Sequence, residues 1–397
     1  MTALVIGPLH PEAETGALQV ELAGVRAKVT SDFPPFMEYA RLHMAPLRTV
    51  APGAPRIRAR LFWHEGPPPD RLEAHPDLRG WDRVDRDLYR RDGALAWFRI
   101  DDFPDLHLRF TWTGQELAVV GHYYHRLSKT GGRDWLRRVV YHRSLPNLRR
   151  RRFTTLLYYL VYYPCFWWLE HERLCHPIHA GGVRLPNGVV AMAGPSGVGK
   201  STLVAGLACD PSARLLSDTF LLHKGATVRS VPEPLLLDQW SRGWLGGGAN
   251  ALQPIRHRYS LGRNGFHWPD DQLVAGGDVR LLVFPQRATS HYVRPLSPNQ
   301  AQGRIRAGDL IVNDVRRYWA FASVLEVLDP NPLVQAREQS LAELVNTVPA
   351  FEVGLTADVP RSEMVGLIDH LLATATLAAP QAPAGVVSAH VSDTHPM

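Results

Sequence analysis

Residues Gly194-Pro195-Ser196-Gly197-Val198-Gly199-Lys200-Ser201 match G-x-x-x-x-G-K-[ST] at every position, and Thr202 follows directly. An apolar run, GVVAMA at 188–193, precedes the loop, and a helix-capable segment from Lys200 to about Leu207 follows it. Strand, glycine loop and helix in that order let consecutive backbone N–H groups curl around phosphate oxygens while the helix start adds its partial positive charge. The motif therefore predicts a nucleoside triphosphate site with Mg²⁺. Lys200 would reach the β- and γ-phosphates, and the Ser201 hydroxyl would ligate the metal.

Such a loop needs a carboxylate at the end of a neighbouring strand to organise metal or nucleophile. Arg214-Leu215-Leu216-Ser217-Asp218 supplies one: an apolar strand at 213–217 ends in an acid. Asp238 is a second candidate metal ligand. The strand at 279–284 (VRLLVF) instead runs into Pro285-Gln286, and no LSGGQ-like segment is present, which argues against an ABC-type ATPase. Asp270-Asp271, in HWPDDQ, reads as a turn rather than a metal pair.

The segment from His179 to Gly243 resembles the catalytic domain of HPr kinase/phosphorylase and its smaller kinase relatives. His179-Ala180-Gly181 stands where that family has a histidine opening a strand fifteen residues before the first loop glycine. GPSGVGKS is similar to its G-x-SG-[IV]-GKS, and Arg214–Asp218 to its R-L-V-A-D-D. Val231-Pro232-Glu233-Pro234 and Arg242-Gly243 resemble its downstream P-E…R-G segment. The departures are Thr219 for the second Asp of the pair, Thr202 for a Glu, and Trp240 where an acid is expected.

The resemblance implies an α/β P-loop kinase domain of the HPr kinase C-terminal type, with a PEP carboxykinase-like fold. It implies an ATP- and Mg²⁺-dependent kinase that passes the γ-phosphate to a hydroxyl of a peptide, protein or small molecule. Asp218 would take the acceptor proton, His179 would orient it, and Arg242 would stabilise transferred charge. A Ser-containing peptide is the first expected acceptor, and a homo-oligomer fits the relatives. Two alternatives stay open: an ATPase, or a noncatalytic nucleotide-binding module controlling a partner.

Elsewhere, 17–30, 56–63, 95–100 and 106–112 alternate apolar and polar residues, the period of half-buried strands, with a helix near 34–46. The expected organisation is a β-rich α+β domain over 1–150, suited to substrate docking, the kinase domain over 151–375, and a disordered Ala/Pro-rich tail over 376–397. FTTLLYYLVYYPCFWWL at 153–169 is apolar enough to raise a membrane span. Its length is at the short limit, and Pro164 and Glu170 interrupt it, so a buried helix under the kinase sheet is expected. Helices are also expected at 315–327 and 361–374, and a strand at 349–355.

Three cysteines without metal-ligand spacing and no signal-like N-terminus predict a reducing, cytoplasmic setting. The net charge of +6 invites an acidic partner, but Arg149–Arg152 is the one dense basic run and no nucleic-acid module accompanies it, so nucleic acid is not expected.

Overall fold

The computed structural model describes residues 16–49, 53–68, 78, 80–100, 102–126, 152–195, 197–260, 263–356 and 358–378. The N-terminal alternation becomes an eight-stranded sheet: β1 (Leu18–Leu22), β2 (Val25–Ser31), β3 (Ile57–Glu65), β4 (Asp82–Asp85), β5 (Leu88–Arg91), β6 (Ala94–Trp97), β7 (Leu106–Trp112) and β8 (Leu117–His125). Their spatial order is β1-β2-β3-β8-β7-β6-β5-β4, with β3 parallel to both of its neighbours. The single run at 17–30 is a hairpin, turned at Ala23-Gly24. In β3, Ile57, Ala59, Leu61 and Trp63 are buried while Arg58, Arg60, Phe62 and His64 are half-buried, so one face meets the core. Helix α1 (Pro34–His43) buries Phe36, Met37, Tyr39 and Ala40 in that same core.

The aromatic stretch is a helix from 152 to 171, ending in α2 (Tyr163–His171). A π turn at Tyr158–Tyr162 sits just before Pro164, whose ring and missing N–H interrupt the regular ladder. No described helix is long and apolar enough to cross a membrane. The expected burial is present, and both sheets share it: Tyr158 and Phe166 pack on Phe220 beside the second sheet, in one core with the N-terminal sheet. Phe153, Leu156, Tyr159 and Leu160 join the core of the N-terminal sheet, together with Val315, Tyr318 and Phe321 of α6 (Asn313–Glu326). The 150/151 division lies outside the described residues, and this one core contains side chains from both sides of it.

The second sheet comprises β9 (His176–Ile178), β10 (Ala180–Leu185), β11 (Gly188–Ala193), β12 (Arg214–Ser217), β13 (Leu221–Lys224), β14 (Thr227–Ser230), β18 (Gly276–Arg287), β19 (Tyr292–Leu296) and β20 (Ala350–Leu355). A small sheet of β15 (Leu235–Asp238), β16 (Gln253–Ser260) and β17 (Arg263–His267) stands beside it. The second sheet is mixed: β11 and β20 both run parallel to the long β18, whereas β10 is antiparallel to β11 and β12.

GVVAMA is apolar at every position after Gly188 because β11 is covered on both faces. Val190 and Met192 enter one core with Leu203, Val204 and Leu207 of α3 (Lys200–Ala208) and Met364 and Ile368 of α8 (Arg361–Ala378). Val189, Ala191 and Ala193 enter the other with Ile305 of α5 (Pro298–Ile311) and Leu341 and Leu344 of α7 (Leu333–Thr347). Full burial of each Val, Leu, Ile or Met contributes about 1.5–3 kcal/mol relative to exposure, so this strand is a rigid base for the loop that follows. The architecture is mixed α/β.

Candidate functional site

Strand register brings the sequence-selected residues together. In the β10–β11 hairpin Ala180 faces Ala193, so His179 and Gly194 flank its open end. On the other side of β10, Gly182 faces Ser217, which puts Asp218 at the same sheet edge. The fifteen-residue spacing between His179 and Gly194 is thus the length of one hairpin. Gly181 makes this convergence possible: a Cβ there would lie 2.6 Å from Val204 Cγ2 and 3.1 Å from the Asp218 carbonyl oxygen.

Gly194, Gly197 and Gly199 take φ of 140°, 85° and 100°, conformations that side chains resist, and Gly199 caps α3. Ser196 lies outside the described residues. The Lys200 ammonium folds back on the loop, donating to the Gly194 oxygen at 2.7 Å and the Pro195 oxygen at 2.9 Å. Burial lowers its pKa to about 8, opposed by the charges of Asp218 and Asp309. A buried ammonium on two neutral carbonyls is poised to gain from an incoming anion.

A cavity of about 630 Å³ opens beside the loop. Its lining includes His179, Gly197–Ser201, Thr202, Asp218 and Asp238. His179 donates its backbone N–H to Asp309 Oδ1 at 3.1 Å. Burial, reinforced by Lys200, lowers the ring to a pKa of about 3, so it is neutral and offers one donor and one acceptor. Burial raises Asp309 to about 7. Asp238 caps α4 (Gln239–Leu245) by accepting the Ser241 N–H at 2.7 Å on Oδ1, and Thr202 Oγ1 lies 3.1 Å from Ser241 Oγ.

Arg242 is not part of the lining. It is exposed, with its guanidinium 5.1 Å from the Phe266 ring centroid, because the phase of α4 turns Ser241 and Trp244 toward the cavity. The arginine among the lining residues is Arg287, at the end of β18. Asp270 and Asp271 form part of a short turn outside the cavity.

Sequence reading gave no role to further polar residues of the lining: His43, Thr154, Tyr158, Glu233 and Asp314. Tyr158 donates its hydroxyl to Glu233 Oε1 at 2.7 Å. Burial lifts the Glu233 pKa to about 8; Asp314 and Asp218 add to the rise, and the hydroxyls of Tyr158 and Thr219 oppose it. Only Val231–Pro234 hinted at this carboxylate, and nothing in the spacing tied it to a tyrosine 75 residues earlier.

The raised pKa has a consequence for stability. The unfolded chain ionises Glu233 near the ordinary 4.5, the folded chain near 8, so folding favours the protonated form. Its contribution is fully present below about 4.5 and is lost as pH rises to about 8. Melting temperatures of Glu233→Gln and the unsubstituted protein should therefore diverge over this window, the variant becoming relatively more stable as pH rises. Parallel curves would contradict the assignment.

Neither a scan against models of protein families nor a search of curated proteins finds a match to this chain.

Proposed function

We propose that the chain is an ATP- and Mg²⁺-dependent kinase with a P-loop domain of the HPr kinase type, transferring a γ-phosphoryl group to a hydroxyl acceptor. The observation that carries the reading is the convergence of the Gly194–Ser201 loop, His179 and Asp218 at one edge of three adjacent strands, on one cavity. Phosphoryl transfer asks chiefly for positioning and charge neutralisation, and this constellation offers both.

The donor set fits Mg²⁺. The ion keeps several waters and takes one or two carboxylates besides phosphate oxygens; from the cavity wall Asp218 would give a carboxylate and Ser201 a hydroxyl oxygen. Asp238, which also lines the cavity, would join them. Bound there, the ion would neutralise phosphate charge. Loop amides and Lys200 hold the phosphates, and neutral His179 orients a polar partner without adding charge.

Arg287 replaces Arg242 as the side chain for transferred charge, since it lines the cavity. Arg287→Ala should weaken ATP binding or transfer by roughly tenfold to a hundredfold, whereas Arg242→Ala should change both less than threefold, of the order expected for one charged hydrogen bond against none. Calorimetric ATP titration and initial transfer rates read the two effects. Equal losses in both variants would return Arg242 to the site.

The acceptor is a hydroxyl compound reached from the His43, Thr154 and Tyr158 side, which the N-terminal half of the chain supplies. A peptide serine is the first candidate.

A further inference from the structure

We propose that Glu233, rather than Asp218, takes the proton from the acceptor hydroxyl, and that Tyr158 positions it for this. The proposal rests on the kinase reading above. Two carboxylates share the cavity, and their surroundings assign them different work. Asp218 belongs to the phosphate end: it follows β12 at the sheet edge and acts on the Lys200 ammonium, raising that group's proton affinity. A carboxylate beside that ammonium is placed to hold a metal ion at the phosphates.

Glu233 lines the same cavity with Tyr158 and Asp314. The groups that act on it most strongly are Tyr158 from the aromatic helix, Asp314 from α6 and Asp218 from the end of β12, with the Thr219 hydroxyl beside them. None of them is a cation. Tyr158 holds Oε1 at 2.7 Å, while Oε2 is closed to solvent and has no hydrogen-bond partner among the described residues. One oxygen is therefore fixed and the other is left for a hydroxyl. Burial beside negative charge makes this carboxylate avid for a proton, the property a general base needs near neutral pH.

The assignment also gives Thr219 a place. An aspartate at 219 would put a third carboxylate between Asp218 and Glu233; threonine puts a neutral hydroxyl there, opposing the rise in Glu233. The acceptor O–H proton passes to the Glu233 carboxylate, the acceptor oxygen bonds to the γ-phosphorus, and the bond from that phosphorus to the β–γ bridging oxygen breaks. ADP leaves with the electron pair.

The test compares full-length wild type, Glu233→Gln, Asp218→Asn and Tyr158→Phe, each confirmed folded by its melting transition. Transfer and hydrolysis are followed from γ-labelled ATP with a serine peptide mixture, and ATP affinity by calorimetry. Glu233→Gln should lose at least about a hundredfold in transfer with ATP affinity within about twofold, as expected for removal of a general base. Asp218→Asn should lose ATP·Mg²⁺ affinity as well. Tyr158→Phe removes a hydrogen bond that favours the carboxylate, so the acidic limb of its pH–rate profile should move to higher pH. A purely structural tyrosine would not move it. Transfer by Glu233→Gln within about threefold of wild type, or an unmoved limb in Tyr158→Phe, overturns the proposal alone. Wild type that neither binds nor turns over ATP overturns the kinase reading and the proposal with it.

Discussion

Lys200→Ala should leave a folded protein whose phosphate transfer falls by about 10²–10³-fold, the scale of removing one preorganised charge from a phosphoryl-transfer site. The structure explains why folding survives. Among the described residues the ammonium hydrogen-bonds only to the Gly194 and Pro195 carbonyls of its own loop, so its loss frees two acceptors at a cavity wall and leaves the two cores around β11 untouched. The charge is the costly part. Burial has already lowered the amine to a pKa of about 8, and a bound triphosphate favours its protonated form. ATP affinity of the unsubstituted protein should accordingly weaken as pH rises above about 8, and that dependence should vanish in Lys200→Ala. Titration of ATP at pH 7 and pH 9 measures it; identical pH dependence in both proteins would place the phosphates elsewhere.

The largest effect on stability is expected at Arg337, outside the cavity. Glu170, at the end of the aromatic helix, is wholly buried. It accepts Arg337 Nε at 2.9 Å on Oε1 and Arg337 Nη2 at 2.6 Å on Oε2. His176 Nδ1 lies 2.9 Å from Oε1, and Tyr318 donates its hydroxyl to Oε2. Burial alone would raise this carboxylate, but Arg337 and His176 win and hold it at about 2. The cluster ties α2, β9, α6 and α7 into one junction between the N-terminal sheet and the second sheet.

Arg337→Ala strands that carboxylate and should cost about 3–5 kcal/mol in urea unfolding, the usual penalty for an uncompensated buried charge. Glu170→Gln combined with Arg337→Leu should recover much of the loss, because the charge is gone as well. The depressed pKa also sets the sign of the pH effect: the ion pair's contribution is present above about 4.5 and lost as pH falls toward 2, so wild type should lose stability in acid faster than the double variant. A single-variant loss below about 1 kcal/mol would show that the junction is not held by this pair.

The loop, its strand and its helix were legible because each is local. GVVAMA, the glycines and Lys200 occupy consecutive positions, and the observed β11 and α3 match the expected spans. Asp218 was legible as a strand end. His179 was visible only through the resemblance, and its reason, a hairpin of fixed length, is a matter of register. Arg242 failed because a seven-residue helix capped by Asp238 turns successive side chains about 100° apart, which spacing from a motif does not show. Glu233, Tyr158 and Arg287 reach one cavity from three distant segments, so no window of sequence contains them together.

The same distinction holds for the fold. β3 alternates cleanly because one face is buried, whereas β4 is exposed at all four positions and shows no apolar period. The aromatic helix declared its burial by composition, but not that the N-terminal sheet would share that burial with the second one.

The central claim is most directly tested by incubating the protein with Mg²⁺ and ATP labelled at either the γ- or the α-phosphate, together with serine-containing peptides and small hydroxyl compounds. The account predicts acceptor-bound label from the γ-position only, abolished by Lys200→Ala and by Asp218→Asn. Label released as free phosphate regardless of acceptor, or ATP bound without turnover, would contradict it.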